Sequence, residues 1–270
     1  MKILIIGGGR MGEAFASSLI KSGDNDVFVA EPDSERRQYL NLQLKVNISK
    51  KQDVYDQINE LLPITEIIIL CIKPQLFNEV SKRLKDIIDQ RKLVISILAG
   101  TRLDKICESL QIDNAVRVMP NTPGQIGKGI SIWKSKKQLS TKEENSVKEI
   151  LECLGISIKT DIESDIDKAT AISGSGPGYL FLIMEIMEDI GIELGLSEEV
   201  AKKLVIETFI GSSILAKEKD ASFKELRKEV TSPNGTTDSG VKEMIKNKLA
   251  HSIKSGIIKA HERSIEISND

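Results

Sequence analysis

Histidine is almost missing from this sequence. Two are present, His251 and His261, both close to the C-terminus, so no Ser-His-Asp triad, Cys-His pair or HExxH zinc site can be assembled in the first 250 residues. The two lie ten residues apart on one predicted helix, the wrong spacing for an i, i+4 metal pair, and no metal is expected. If the chain is an enzyme, its chemistry comes from a bound cofactor. Cysteine is scarce as well. Cys71, Cys107 and Cys153 are odd in number and widely spaced, which reads as buried reduced thiols and not as a disulfide framework. Long hydrophobic runs are absent: the stretch Ile67 to Ile72 is six residues, whereas a membrane helix needs about 20. Neither sign of charge dominates. Lys and Arg total 38 against 40 Asp and Glu, a net charge of −2, which argues against a phosphate-neutralising nucleic-acid face. The opening MKILIIGGGR runs from one lysine into a strand-like segment and a glycine turn, without the apolar stretch and cleavage site of a signal peptide. Together these features lead us to expect a cytoplasmic protein with no membrane and no nucleic-acid partner.

What the sequence does contain is enough apolar material for a buried core, 40% of 270 residues, at a length comfortable for two domains. The first half alternates short β-rich runs with helical spacing. Strands are predicted at 2–6, 27–30, 66–72, 93–97 and 115–119, and helices at 11–21, from about 34, 77–88 and 103–110. Such alternation implies right-handed crossovers and a doubly wound parallel sheet, an α/β Rossmann-like fold. After about residue 161 the pattern changes to long amphipathic helices at 179–194, 198–217 and roughly 240–267. The expected division is a dinucleotide-binding domain over 1–160 and an all-helical domain over 161–270. The helix starting at Tyr179 is apolar on more than one side, which in a small helical domain points to a subunit interface.

The strand ending at Ile6 runs into Gly7-Gly8-Gly9-Arg10-Met11-Gly12, a GxGxxG turn opening a helix. In that context Gly7 permits the tight turn, Gly9 the close approach of a pyrophosphate, and Gly12 the close packing of helix on strand. The N–H groups of the helix start then face the phosphates. Glu31, 19 residues after Gly12 at the end of the second strand, suits the adenosine ribose hydroxyls and favours NADH. Arg36 and Arg37 nearby suit a 2′-phosphate instead, so NADPH and NADH both stay open.

Further along come Ile72-Lys73-Pro74-Gln75, Ser96-Ile97-Leu98-Ala99-Gly100 and Arg117-Val118-Met119-Pro120-Asn121-Thr122-Pro123, each closing a strand, then Ser173-Gly174-Ser175-Gly176-Pro177-Gly178-Tyr179 and Val230-Thr231-Ser232-Pro233-Asn234-Gly235-Thr236-Thr237. This ordered set resembles the pyrroline-5-carboxylate reductase family, over essentially the whole chain to about Ile267. The first three motifs fall outside the carboxyl ends of strands, where open α/β sheets bind ligands. Lys73 is a candidate cation beside cofactor phosphate or ribose, and Pro74, Pro120 and Pro123 stiffen the loops. The resemblance implies reduction of 1-pyrroline-5-carboxylate to L-proline, with Ile6, Gly8, Arg10, Met11, Ile72, Ala99 and Asn121 also on the cofactor and a homodimer formed through the helical domain. The hydroxyl-rich segment at 231–237 precedes a helix, so Ser232, Thr236 and Thr237 with the freed N–H groups make a candidate carboxylate cradle. By similarity this loop, with Val230, Gly235 and Glu163, holds the substrate, and Thr237 is the candidate hydrogen-bond or proton donor to the ring nitrogen.

Three positions depart from the family pattern. Asn234 stands where a glycine is usual; asparagine tolerates a left-handed backbone, so the loop shape is expected to survive. Gly178 replaces a common alanine and loosens a helix start by up to about 1 kcal/mol. Asp238 brings a charge close to the candidate carboxylate site. Two other readings stay open: a related imine or β-hydroxyacid reductase acting on another small carboxylate, and a catalytically silent paralogue that only binds the dinucleotide.

Overall fold

The computed structural model describes residues 1–23 and 25–269. The chain forms two compact units. One holds Met1–Ser175 together with the residues from Ala260 on, and the other holds Gly176–Lys259.

The first unit is built on strands β1 (Lys2–Ile6), β2 (Asp26–Ala30), β3 (Asn47–Ile48), β4 (Ile67–Leu70), β5 (Leu93–Ser96), β6 (Ala115–Met119), β7 (Gly129–Ser135) and β8 (Gly155–Lys159). Their order in the sheet is β3-β2-β1-β4-β5-β6-β7-β8. Among the described residues, only the β6–β7 pair is antiparallel. Between the strands run helices α1 (Arg10–Lys21), α2 (Ser34–Leu44), α3 (Val54–Leu61), α4 (Phe77–Leu84), α5 (Leu103–Leu110) and α6 (Thr141–Glu152). The sheet is covered on both faces, and the strand sequences show why. Ile3, Ile5, Val27, Val29, Ile67 and Ile69 point to one face, where Phe15 and Leu19 of α1 and Leu40 of α2 meet them. The alternate residues Leu4, Ile6, Ile68 and Leu70 point to the other, against Ile58 of α3 and Phe77 and Leu84 of α4. With both faces apolar, each side chain contributes about 1.5–3 kcal/mol by burial, and only a parallel sheet with helical crossovers satisfies both sets.

The sequence-based strands at 2–6, 27–30, 93–97 and 115–119 agree with β1, β2, β5 and β6 to within a residue. The central run at 66–72 narrows to Ile67–Leu70, and the helix at 77–88 stops at Leu84. The sequence places a domain division at 160/161, while in the structure residues 161–175 and the chain end from Ala260 pack as part of the sheet unit. A buried charge explains this. Arg117 of β6, 2% exposed, pairs with Glu163 (3.0 Å) and with Asp167 (2.6 Å) of α7 (Ser164–Ala169). The Ser268 hydroxyl donates to the same Asp167 carboxylate at 3.2 Å.

The second unit carries α8 (Gly176–Glu193), α9 (Glu198–Glu218), α10 (Phe223–Glu229), α11 (Thr236–Lys246) and the first part of α12 (Leu249–Asn269). Here too one expectation is corrected. The single helix read over 240–267 is two, broken at Asn247–Lys248, where Lys248 takes a left-handed φ of 62°. Ala201 and Val205 of α9 are buried, while Leu180, Phe181, Leu182 and Ile186 of α8 are 48–62% exposed in the single chain. Among the described residues, no helix is long and apolar enough to cross a membrane.

Candidate active site

The sheet order reverses between β1 and β4, and the candidate cofactor site lies beyond their carboxyl ends, at this switch point. Gly7 follows β1 with φ +100°, and a Cβ there would sit 2.7 Å from the Cys71 carbonyl oxygen after β4. A Cβ on Gly12 would collide with the Gly7 carbonyl, so the helix start and the strand end close on each other only with glycine at both places. At Gly9, by contrast, a Cβ would meet nothing, leaving open space in front of the turn. Helix α1 starts from Gly9 with no side chain capping it. In α2, α3, α6, α9 and α10 a Ser or Asp at the start accepts from the helix's own N–H groups. The uncapped start of α1, carrying Arg10 and Met11, keeps its donors and partial positive charge for an anion.

Glu31 follows β2 and reaches this turn. Its carboxylate accepts from the Gly8 N–H at 2.7 Å and from the Asp33 N–H at 3.0 Å. Beside it a cleft of about 200 Å³ is lined by Ile6, Gly7, Ala30, Pro32, Ile58 and Ile72. That narrow, apolar lining suits a flat aromatic ring. Tyr55 and Glu79 also border the cleft; the Tyr55 hydroxyl donates to Glu79 at 2.7 Å, and burial together with this bond pushes its pKa up to about 12. Neither residue was singled out in the sequence, where Tyr55 sits in a polar helix with no motif around it. The turn, Glu31 and Ile72 are therefore brought to one place by the sheet.

The other strand-end residues are less uniform. Lys73 is exposed, just before the one-turn helix Pro74–Leu76. Ala99 is half-buried after β5, next to Gly100, whose φ of +68° lets it pack against Ile267. Asn121 follows β6 with its side chain committed to backbone: Oδ1 accepts from the Ile130 N–H at 2.9 Å and Nδ2 donates to the Ser173 carbonyl at 3.2 Å. It thereby ties the MPNTP and SGSG segments together. Glu163 is held by Arg117 and by the Leu103 N–H (2.8 Å), so its carboxylate caps α5 and belongs to the buried charge cluster. That cluster was not anticipated; its one visible signal was an arginine inside the apolar strand AVRVM.

In the second unit, Val230 and Ser232 are exposed ahead of α11, and Thr236 and Thr237 are exposed in its first turn. Gly235 opens α11 with no side-chain cap, so here again a helix start is left free. Asn234 adopts φ +60°, the left-handed conformation expected of it. Its N–H donates to Asp238 at 3.1 Å, and Lys242 pairs with the same carboxylate at 2.7 Å. These two contacts, the lysine's the larger, hold the Asp238 carboxyl below the ordinary carboxylate range. The charge that departed from the family pattern is thus neutralised and serves as a brace for the left-handed turn.

The chain is similar to known proteins over essentially its whole length. Residues 163–267 match the family described as pyrroline-5-carboxylate reductase dimerisation, and residues 2–100 match the one described as NADP oxidoreductase, coenzyme F420-dependent. The pyrroline-5-carboxylate reductase of Pseudomonas aeruginosa is 32% identical, the match covering 99% of this chain and 97% of that one. That of Synechocystis is 33% identical, covering 97% of each. Among solved structures, the pyrroline carboxylate reductase of Plasmodium falciparum with NADP bound superposes with a TM-score of 0.88 at 30% identity, covering 99% of this chain and 98% of that one. Full-length likeness of this kind, on a chain whose glycine turn, strand ends and hydroxyl loop are all in place, shows that the chain belongs to the pyrroline-5-carboxylate reductase family.

Proposed function

We propose that this chain reduces 1-pyrroline-5-carboxylate to L-proline with NADPH or NADH, the last step of proline biosynthesis. The observation that carries the reading is the joint presence, in one chain similar to such reductases from end to end, of a glycine turn at the sheet's switch point and a hydroxyl-rich loop leading into the uncapped start of α11 at Gly235. The reduced dinucleotide supplies the hydride. The N–H groups at the start of α1 bind its pyrophosphate, the cleft at Ile6 and Ile72 takes its adenine, and Glu31 meets its ribose. Lys73, Pro74, Ala99 and Asn121 shape the strand ends toward the nicotinamide.

The loop at 230–237 binds the substrate carboxylate through the N–H groups of the α11 start and the Ser232 and Thr236 hydroxyls. Thr237 donates to the ring nitrogen. Positioning is the protein's main task, since an imine that receives this hydrogen bond or proton at nitrogen is a good electrophile for the hydride. This explains how the reaction proceeds without histidine. The dimerisation family match and the exposed apolar residues of α8 support a homodimer through the helical segment.

The test is the loss of reduced-nicotinamide absorbance when 1-pyrroline-5-carboxylate is added, with L-proline identified as product. Oxidation without proline would favour another imine substrate. Cofactor binding with no turnover would favour a silent dinucleotide-binding protein.

A further inference from the structure

We infer that the ribose end of the cofactor site selects NADH over NADPH, through Glu31 and through a second carboxylate, Glu13, that holds Arg36 away from the ribose. The inference rests on reading the glycine turn as a dinucleotide site.

Glu31 cannot readily turn aside. Besides the Gly8 and Asp33 N–H groups on its carboxylate, its own N–H donates at 3.0 Å to Oε1 of Gln57, a fully buried residue whose amide in turn donates to the Lys51 carbonyl. The carboxylate is therefore fixed where β2 meets the glycine turn, beside the apolar cleft. An adenosine 2′-hydroxyl placed there donates a hydrogen bond to it. A 2′-phosphate would bring its own negative charge against it and needs a cation.

The two arginines nearest in sequence do not supply one. Arg37 is 5% exposed and turns inward, donating to the carbonyls of Glu31 (2.6 Å) and Pro32 (2.8 Å) and to Gln52 Oε1 (3.1 Å). Arg36 is engaged at both ends. Its Nε donates to the Gly8 carbonyl at 2.7 Å, and its outer nitrogen pairs with Glu13. Glu13 is steadied by the Tyr39 hydroxyl (3.0 Å), and the Tyr39 ring lies 5.0 Å from the Arg36 guanidinium. Of these two arginines, Arg36 alone keeps a partly exposed guanidinium, and that group is already paired with Glu13. Arg36 braces the glycine turn, and recruiting it to a phosphate means breaking its pair with Glu13.

The experiment is calorimetric titration of the full chain with NADH and with NADPH, no imine present. NADH is expected to bind at least about tenfold more tightly, about 1.4 kcal/mol. Glu31→Gln keeps an acceptor for one of the Gly8 and Asp33 N–H groups, which meet different carboxylate oxygens, and removes the charge; it is expected to shrink that ratio severalfold. Glu13→Gln frees Arg36 and is expected to strengthen NADPH binding with little effect on NADH. Circular dichroism and melting show that each variant is folded. Equal or tighter binding of NADPH by the native chain overturns the inference, as does an unchanged ratio in both folded variants. Binding of neither dinucleotide overturns it together with the proposed function. Tight, selective binding without reduction of the imine leaves the selectivity standing and removes only the proline reading.

Discussion

Arg117 offers the sharpest test of what holds the first unit together. The guanidinium is 2% exposed and pairs with two carboxylates, one of which, Asp167, also accepts from the Ser264 (3.4 Å) and Ser268 (3.2 Å) hydroxyls of α12. Arg117→Met removes the cation and strands both carboxylates in a poorly hydrated site. Breaking a buried pair from one side costs about 3–5 kcal/mol. At about 2–4 °C per kcal/mol for a chain of this size class, the melting temperature should fall by roughly 6–20 °C. The reporter is built in. Trp133, the chain's one tryptophan, is fully buried on β7 and lies in register with Val118, next to Arg117. Melts followed by its fluorescence belong at one fixed protein concentration, since association shifts apparent stability. The triple variant Arg117→Met, Glu163→Gln, Asp167→Asn removes the uncompensated charges and should recover at least half of the loss. Hydrogen exchange in the last turns of α12 should accelerate in the single variant and slow again in the triple one. A single variant within about 1 kcal/mol of the native chain would refute the claim that this cluster is desolvated and load-carrying.

Other outcomes follow from the same geometry. Thr237→Ala should lower kcat on the order of 10²-fold or more, the usual worth of a positioned proton donor, with cofactor affinity measured by titration little changed; equal loss of both in a folded protein would remove its assigned role. Asp238→Ala should raise KM for the imine severalfold and leave NADH binding intact, because the Asn234 N–H loses its acceptor. Since the folded Asp238 carboxyl lies below its ordinary value of about 3.9, the brace is fully present above that pH. It is lost only as the pH falls through the lower folded value, so KM should show no Asp238-dependent step between pH 5 and 9. Burial pushes the Cys107 thiol up to about 11, Cys153 to about 12 and Cys71 further up. All three should react with a thiol reagent at pH 8 far more slowly in the native protein than after unfolding.

The strands that could be read from the sequence were those whose residues are apolar on both faces, such as Leu93–Ser96, because burial on two sides leaves a continuous run that needs no knowledge of neighbours. β7 and β8 escaped for the opposite reason. In β7 it is Gly129, Ser131 and Trp133 that point inward while Ile130 and Ile132 are only half-buried, so the apolar alternation names the wrong face. β8 is an edge strand with Ile156 and Ile158 largely exposed. The two-residue β3 is too short for any period to show. The break before α12 was hidden because the amphipathic spacing runs through it and neither glycine nor proline marks it.

The fold class, the glycine turn, the hydroxyl loop and the family resemblance are all legible along the chain, since each depends on residue types at local spacing. Which polar groups stay free is settled by folding. Glu163, Asn121, Arg36 and Arg37 all looked like candidate ligand contacts in one dimension. Folding brings Arg117, Ile130 N–H, Glu13 and the Glu31 carbonyl to them, and each is satisfied by a partner from 6 to 46 residues away. A polar side chain's role is set by what lies opposite it, and that is fixed by packing across the sheet, not by its neighbours along the chain.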